Sequence, residues 1–594
     1  MGNNKGFNER YVNKYEGLEK KLSITIKNYG TVRLIIAIIA IIGAIAFYKI
    51  RREDLFVINL VVMVTIFTVV ALKHSKLIDF KKEVTILKKI NETEIKRIQG
   101  DFADLEDTGE EYKDQEHNYC DDLDIFGKAS LFQWMNSCVT SRGRNKLSSI
   151  LKGNLKFTSK EIYERQEAIK ELGGLNHFRQ RLQGKALINE KKLLKDENFI
   201  QWGKEKNKNI EGFFIGVLYL DSIATIGLFI ASIFNIISWK FFMMMIILNV
   251  FILKFNEKNL NLTLDTVGAQ YKGIVSYKEM LRLIERRQYK SQLLKSLKSK
   301  VKNRDWDGYK ELTTLAKLAE SIEDRKNALY LLLNVFFFLD FHYYNKLNKW
   351  KKKSGDKIEV VVEVIGTFEE LSSFGAILAN YDGFNFPEIK DEFCIKAHNV
   401  RHPLLGKKSI GNNINLDNKG ESWLITGSNM AGKSTYLRTI GVNLVLAYSG
   451  GPVMAENFCC NIMEIYTCMR IGDNLEKSIS SFYAEILRVK SIIKNSKEGR
   501  KVFYLLDEIF KGTNSRDRHK GAEILINELT KLNTLGLVST HDLELGDIQN
   551  PKVSNYHFEE YYEEDNIKFD YKLKKGISTT QNALYLMRMA GINC

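Results

Sequence analysis

No proline occurs in the first 386 residues of this 594-residue chain; all four, Pro387, Pro403, Pro452 and Pro551, lie beyond. Proline removes a backbone donor and blocks helix propagation, so a proline-free stretch of this length suits long uninterrupted helices. After it the texture changes: short apolar runs punctuated by glycine alternate with helical patterns, as in α/β folds. A boundary near residue 386 follows. The length predicts two to four domains.

The proline-free part carries four apolar runs arranged as two hairpins. Leu34–Tyr48 and Leu55–Leu72 are separated by the charged connector KIRRED. The second of these is long enough to cross hydrocarbon and the first is slightly short. A second hydrophobic run directly after the first argues against a cleaved signal peptide. Residues 212–237 and 241–253 form the other pair, joined by Ser238-Trp239-Lys240, with Trp239 suited to a membrane interface. An even number of crossings puts both termini on one side. A multi-pass protein of the cell membrane with a cytoplasmic C-terminal domain is the expectation, and lipid is one expected partner. A fifth run, Ala328–Phe341, is short and contains Asn334 and Asp340, so a buried core helix is expected there. Ile274, Tyr277, Leu281, Ile284, Leu294, Leu297 and Val301 recur mostly at helical spacing amid Lys and Arg, which predicts one long basic amphipathic helix, read as a lever arm.

Charge is uneven. Residues 387–594 carry 27 Lys and Arg against 25 Asp and Glu, which leaves +14 of the net +16 to residues 1–386. Anionic lipid, nucleic acid and plain solubility all fit that excess. The seven cysteines have no CxxC spacing, so neither a zinc site nor a disulfide framework is indicated.

Nucleotide chemistry is written in the last third. Residues 422–427 (SWLITG) read as a short buried strand, and Gly427, Ser428, Asn429, Met430, Ala431, Gly432, Lys433 and Ser434 then fit GxxxxGK[ST], with Thr435 next. Glycines let backbone N–H groups approach phosphates, Lys433 reaches the terminal phosphate oxygens, and Ser434 supplies a Mg²⁺ ligand. Lys501–Glu508 (KVFYLLDE) is an apolar strand ending in two carboxylates. Asp507 is placed to hold Mg²⁺, and Glu508 to orient or deprotonate the attacking water. Leu535–Thr540 (LGLVST) ends at His541, where a parallel sheet faces its ligand crevice and a histidine can sense the terminal phosphate.

These pieces, in this order, resemble the MutS branch of the ABC-type ATPases. TGSNMAGKSTYLRT (426–439) is similar to that family's phosphate loop, with Ser428 and Ala431 where proline and glycine are usual. LLDEIFKGTNSRDR (505–518) resembles its acidic strand and STHDLEL (539–545) its switch-histidine segment. DNLEKSISSFYAE (473–485) resembles its signature loop, which places Ser480 on the nucleotide of a partner subunit, although Ser478 and Ile479 replace glycine and arginine. KFDYKLKKGIS (568–578) resembles the C-terminal strand, while QNAL (581–584) replaces Ser-Tyr-Gly. The resemblance offers Phe386 and Tyr571 as adenine-stacking residues, with ordinary core aromatics as the alternative. Upstream, Asp124–Leu151, Ile162–Leu172 and residues 357–380 resemble the helical core and its junction.

The resemblance therefore implies an α/β P-loop (ABC-type) ATPase domain at 386–594. Before it stands an all-α core and lever domain at 119–385 carrying the second hairpin, and an N-terminal region at 1–118 carrying the first. It implies ATP and Mg²⁺, a homodimer that sandwiches the nucleotide, and DNA as a partner held mainly through phosphates. Phe7-Asn8-Glu9 matches the letters of the mismatch-reading motif but sits about 25 residues before a span, so coincidence is expected. A membrane ATPase acting on a protein or on lipid without DNA is the alternative.

Overall fold

The computed structural model describes residues 5–194, 197–205, 212–428, 430–470, 481–510, 514–563 and 566–578. Asn429, Ser480 with the rest of 471–480, and the QNAL stretch lie outside them. Two helices open the chain, α1 (Lys5–Lys49) and α2 (Glu53–Gln99), packed as an antiparallel pair. At 1.5 Å per residue each is roughly 70 Å long, more than twice a bilayer's hydrocarbon. Both therefore run well past the apolar runs. Their outer halves are apolar and exposed; the inner half of α2 is tied to the helical body by Glu83–Lys185 (2.7 Å), by Asn91 with Gln180 (3.0 Å), and by Glu94 with Asn380, and that of α1 by Tyr11 with His177 (3.1 Å). The reversal uses Arg51 at positive φ, with Arg52 paired to Asp54 across the tip.

The second pair is α3 (Gly212–Ile233) and α4 (Trp239–Ala269). Among the described residues α1, α2 and α3 are each long and apolar enough to cross a membrane, and α4 makes a fourth if its two parts, bent by 75° after Phe255, count as one span. Two expectations fail here. The predicted long amphipathic helix is two helices, Tyr271–Arg286 and Gln292–Val301. The Glu171 carboxylate accepts the N–H groups of Lys290 and Ser291, and the Ser291 hydroxyl caps the second helix, so a remote residue makes the break. All seven apolar residues of the pattern are buried even so, and Tyr271–Arg286 packs against the Gly308–Glu323 helix instead of projecting as an arm. The predicted buried helix at 328–341 is α5 (Ala328–Phe337), with exposed leucines, broken from α6 (Leu339–Ser354) by Phe338 in the left-handed region (φ 50°).

Helix α7 (Lys357–Asn380) is largely buried, and the first strand follows it at Phe384. Its Glu369 accepts the Val139 and Thr140 N–H groups, and its Glu370 takes both guanidinium nitrogens of Arg165 (2.8 and 2.9 Å). Arg165 Nε donates to the Ser449 carbonyl at 2.8 Å, just past the helix α8 (Lys433–Tyr448). One apolar core runs from Trp134 and Phe374 in the helical part to Leu437 and Leu505 in the α/β part.

The α/β part is built on a six-stranded sheet: β1 (Ser422–Thr426), β2 (Glu464–Cys468), β3 (Val502–Asp507), β4 (Thr534–Ser539), β5 (Val553–Glu563) and β6 (Asn566–Lys575). Its order is β6-β5-β1-β4-β3-β2; all neighbours are parallel except β6, which is antiparallel to β5. The strands β1, β3 and β4 are almost wholly buried, as continuous apolar runs in a two-sided parallel sheet must be. A smaller four-stranded sheet stands beside it. A helical region followed by an α/β domain with mixed sheets fits a MutS-like architecture.

Removing one partner of a buried ion pair strands a charge, at a cost of about 3–5 kcal/mol. Glu370→Gln should therefore lower the denaturation midpoint of the full chain strongly, while Lys160→Gln on the surface leaves it unchanged.

Candidate active site

The C-terminal edges of β1, β3 and β4 meet in register, with Ile425 opposite Ser539 and Ser539 opposite Asp507. Everything the sequence placed on these strand ends therefore converges on one crevice. Gly427 has φ 140°, and a Cβ there would stand 2.8 Å from the Phe558 carbonyl oxygen, so only glycine fits. Gly432 (φ 107°) begins α8 with no side-chain cap, which leaves the helix's first N–H groups pointing into the loop. Ala431 is buried and Met430 stands out in solvent.

Lys433 is almost fully buried. Its ammonium donates to the Gly427 and Ser428 carbonyls (2.7 and 2.9 Å) and stands 3.9 Å from Glu508 Oε1. Glu508 occupies the left-handed region (φ 49°), anchored by its N–H to the Ser539 carbonyl at 2.9 Å. That conformation is uncommon for a side-chain-bearing residue and turns the carboxylate back toward Lys433. His541 Nδ1 lies 3.7 Å from the other oxygen, Glu508 Oε2. Asp507 Oδ1 is buried and has no hydrogen-bond partner among the described residues, a demand that a divalent cation or its water shell would meet. Ser434 and Thr435 follow Lys433 in the first turn of α8, Ser434 half-buried and Thr435 exposed.

Tyr571 and Phe386 part company. The Tyr571 ring faces the loop, 3.1 Å from where a Cβ on Gly432 would stand, and its backbone is clamped by Asn412 Nδ2 at 2.9 Å. Phe386 lines a separate groove with Glu388, His398, Glu456 and Phe458 on the small sheet, which no loop residue shares.

Several residues escaped the sequence pattern. Glu560 on β5 accepts the Ser428 hydroxyl at 2.8 Å, so the loop's unusual serine is tied to the neighbouring strand. Glu485 accepts the Phe510 N–H just after Glu508. His519 pairs with Asp542 (3.1 Å), fixing the residue after His541. Asp122 accepts the N–H groups of Met469 (3.1 Å) and Arg470 (2.8 Å), and Asp124 pairs with both Arg470 and Arg438. Glu485 and Asp124 fall inside the stretches 473–485 and 124–151 that carry the resemblance, but no pattern marks any of these acids for its contact, because each acts across a long chain separation.

Residues 423–593 match MutS domain V. Curated relatives agree. The DNA mismatch repair proteins MutS of Persephonella marina and Aquifex pyrophilus are 27% and 28% identical over 264 and 261 residues, in each case 43% of this chain and 30% of theirs. Endonuclease MutS2 of Carboxydothermus hydrogenoformans is 28% identical over 240 residues, 40% of this chain and 30% of its own. The chain thus spans about 30% of the length of these MutS relatives. Together they support the MutS family for the α/β part, and the matched stretch contains the whole of Gly427–Thr435, both acids and His541.

Beneath α8, His402 is held almost fully buried, its Nδ1 accepting the Leu404 N–H. Burial, aided by the Arg438 cation, drives its pKa down to about 4. In the unfolded chain it takes its proton near 6.5, so between those values the folded state binds fewer protons. Its contribution is complete above about pH 6.5 and is lost as pH falls toward 4, by at most about 3 kcal/mol. His402→Gln should flatten the loss of stability between pH 7 and 5, measured by denaturant titration at each pH.

Proposed function

We propose that the chain is a membrane-anchored, MutS-like ATPase, in which two copies bind and hydrolyse ATP and so move the helical region on DNA. The convergence of Lys433 and His541 on Glu508, beside an Asp507 oxygen with no hydrogen-bond partner among the described residues, carries this reading. Gly427–Gly432 and the start of α8 would cradle the phosphates, with Lys433 exchanging loop carbonyls for phosphate oxygens. Asp507 and Ser434 would hold Mg²⁺, which neutralises charge on the transferring phosphoryl group. Glu508 would orient and deprotonate water, and His541, next to it, would report the terminal phosphate. Tyr571, whose ring faces the loop, would stack the base. Ser480 would complete the site of the partner copy; the chain enters that segment from Met469 and Arg470, which the helical part holds through Asp122.

Membrane anchorage rests on the three apolar helices and the bent fourth, with the ATPase domain on the cytoplasmic side. DNA as the substrate rests on the relatives' printed names and on the basic excess of residues 1–386. One observation favours a second reading, a membrane machine without DNA: the segment expected as a free lever is folded into the body, and that body is joined to α4 by Arg325 bonded to Asp265 and Asn261.

Lys433→Ala should abolish Mg²⁺-dependent ATP binding. Glu508→Gln should keep binding and lower turnover by about 10²–10⁴-fold, the usual worth of a general base. Turnover at the wild-type rate in Glu508→Gln would overturn the assignment. Duplex DNA should change the ATPase rate of the wild-type chain, and its affinity should fall steeply and linearly on a log–log plot against salt. An ATPase indifferent to duplex DNA would favour the second reading.

A further inference from the structure

Helix α5 is apolar and turned outward. Leu329, Leu331 and Leu332 are 68%, 59% and 58% exposed, and Leu333 and Phe337 are partly so. A water-facing surface rarely carries so dense an apolar patch without a partner. The patch is not isolated: α5 packs against α3 and α4, whose Leu220, Ile223, Ile247 and Phe251 are exposed as well. It extends the apolar surface of the second hairpin.

The polar residues that made 328–341 look like a soluble core helix are turned inward and satisfied. Asp340 accepts from the Tyr330 hydroxyl (2.7 Å) and Asn334 Nδ2 (3.0 Å), and pairs with Arg325 (2.9 Å). Asn334 Oδ1 accepts the Asp340 N–H at 3.0 Å. Little of this network faces the exposed leucines, since Asn334 and Asp340 are both buried.

The end of the helix is the decisive detail. The last carbonyls of a helix lack partners within it, and in hydrocarbon each open one costs several kcal/mol. Here Asn249, inside the apolar part of α4, donates its amide to the Val335 carbonyl at 3.0 Å and to Thr225 of α3 at 3.0 Å. A ten-residue helix rises about 15 Å, half the thickness of a bilayer's hydrocarbon. Phe336 meets the rings of Phe229 and Phe242 near the turn between α3 and α4. After the reversal at Phe338 the chain comes back alongside the start of α3, with Phe341 against Phe214 and His342 against Tyr219.

We propose that α5 is a re-entrant half-helix seated in bilayer hydrocarbon beside the second hairpin, with lipid acyl chains covering Leu329, Leu331 and Leu332. The proposal rests on the membrane reading of that hairpin. It makes the membrane contact of the helical region a three-element unit, in which α6 leads directly from the bilayer to α7.

The test uses the wild-type chain in phosphatidylcholine vesicles doped with a phosphatidylcholine carrying a diazirine at the acyl terminus. After irradiation and proteolysis, mass spectrometry should find lipid adducts within residues 327–337 at yields comparable to those within 212–253. Adducts on the hairpin with none on 327–337 would overturn the half-helix and leave the membrane reading standing. Adducts on neither would remove both.

Discussion

Arg165 is the fixed point of the molecule. Its guanidinium is spent entirely inside: two nitrogens on the buried Glu370 and the third on the carbonyl of Ser449, directly after α8. A cation at a helix C-terminus meets both the unpaired carbonyls and the negative end of the helix dipole. The opposite end of α8 begins at Lys433, where an anion is favoured for the mirror-image reason. One helix about 24 Å long thus has the proposed phosphate site at one end and the helical region's buried arginine at the other. Water cannot substitute for either partner of this pair, so α8 cannot shift without repacking α7 and the Ser159–Gly173 helix.

The other side of the proposed nucleotide site is wired to the same neighbourhood. Asp122 and Asp124 come from the helical part, yet they hold Met469 and Arg470 at the end of β2 and Arg438 on α8. The strand that leads toward Ser480 and the helix that carries Lys433 therefore share a pair of acids. A ligand that rearranges one acts on the other through contacts of 3.3 Å or less. This is the physical form that coupling between a nucleotide in one copy and the signature loop offered to its partner would take.

The strands and the loop were legible because local chemistry dictates them. Buried parallel strands have to be continuous apolar runs, and Gly427 has to be glycine because the Phe558 carbonyl leaves no room. Strand ends were readable to within a residue for the same reason, and parallel pairing then brings Asp507, Glu508 and His541 together. What stayed hidden depends on partners far along the chain. The break at Arg287–Ser291 is made by Glu171, about 120 residues upstream. Helix α5 was misread because Asn334 and Asp340 count as polar in any window, although Arg325 and Tyr330 satisfy them out of sight. Glu560 and Glu485 look like surface acids on their elements, and only the fold brings them to Ser428 and Phe510.

Helix α7 turns these separate anchors into one mechanical unit. Glu359 and Glu363 meet Arg142, Glu369 accepts the Val139 and Thr140 N–H groups just before the helix that begins at Ser141, Glu370 takes Arg165, and Asn380 at the far end reaches Glu94 of α2. Its start follows α6, which descends from α5 and the second hairpin. The two proposed membrane hairpins consequently attach at opposite ends of the same helix, with the link to α8 between them. An α8 displaced by nucleotide would push on the middle of a 24-residue rod whose ends lead to different bilayer contacts.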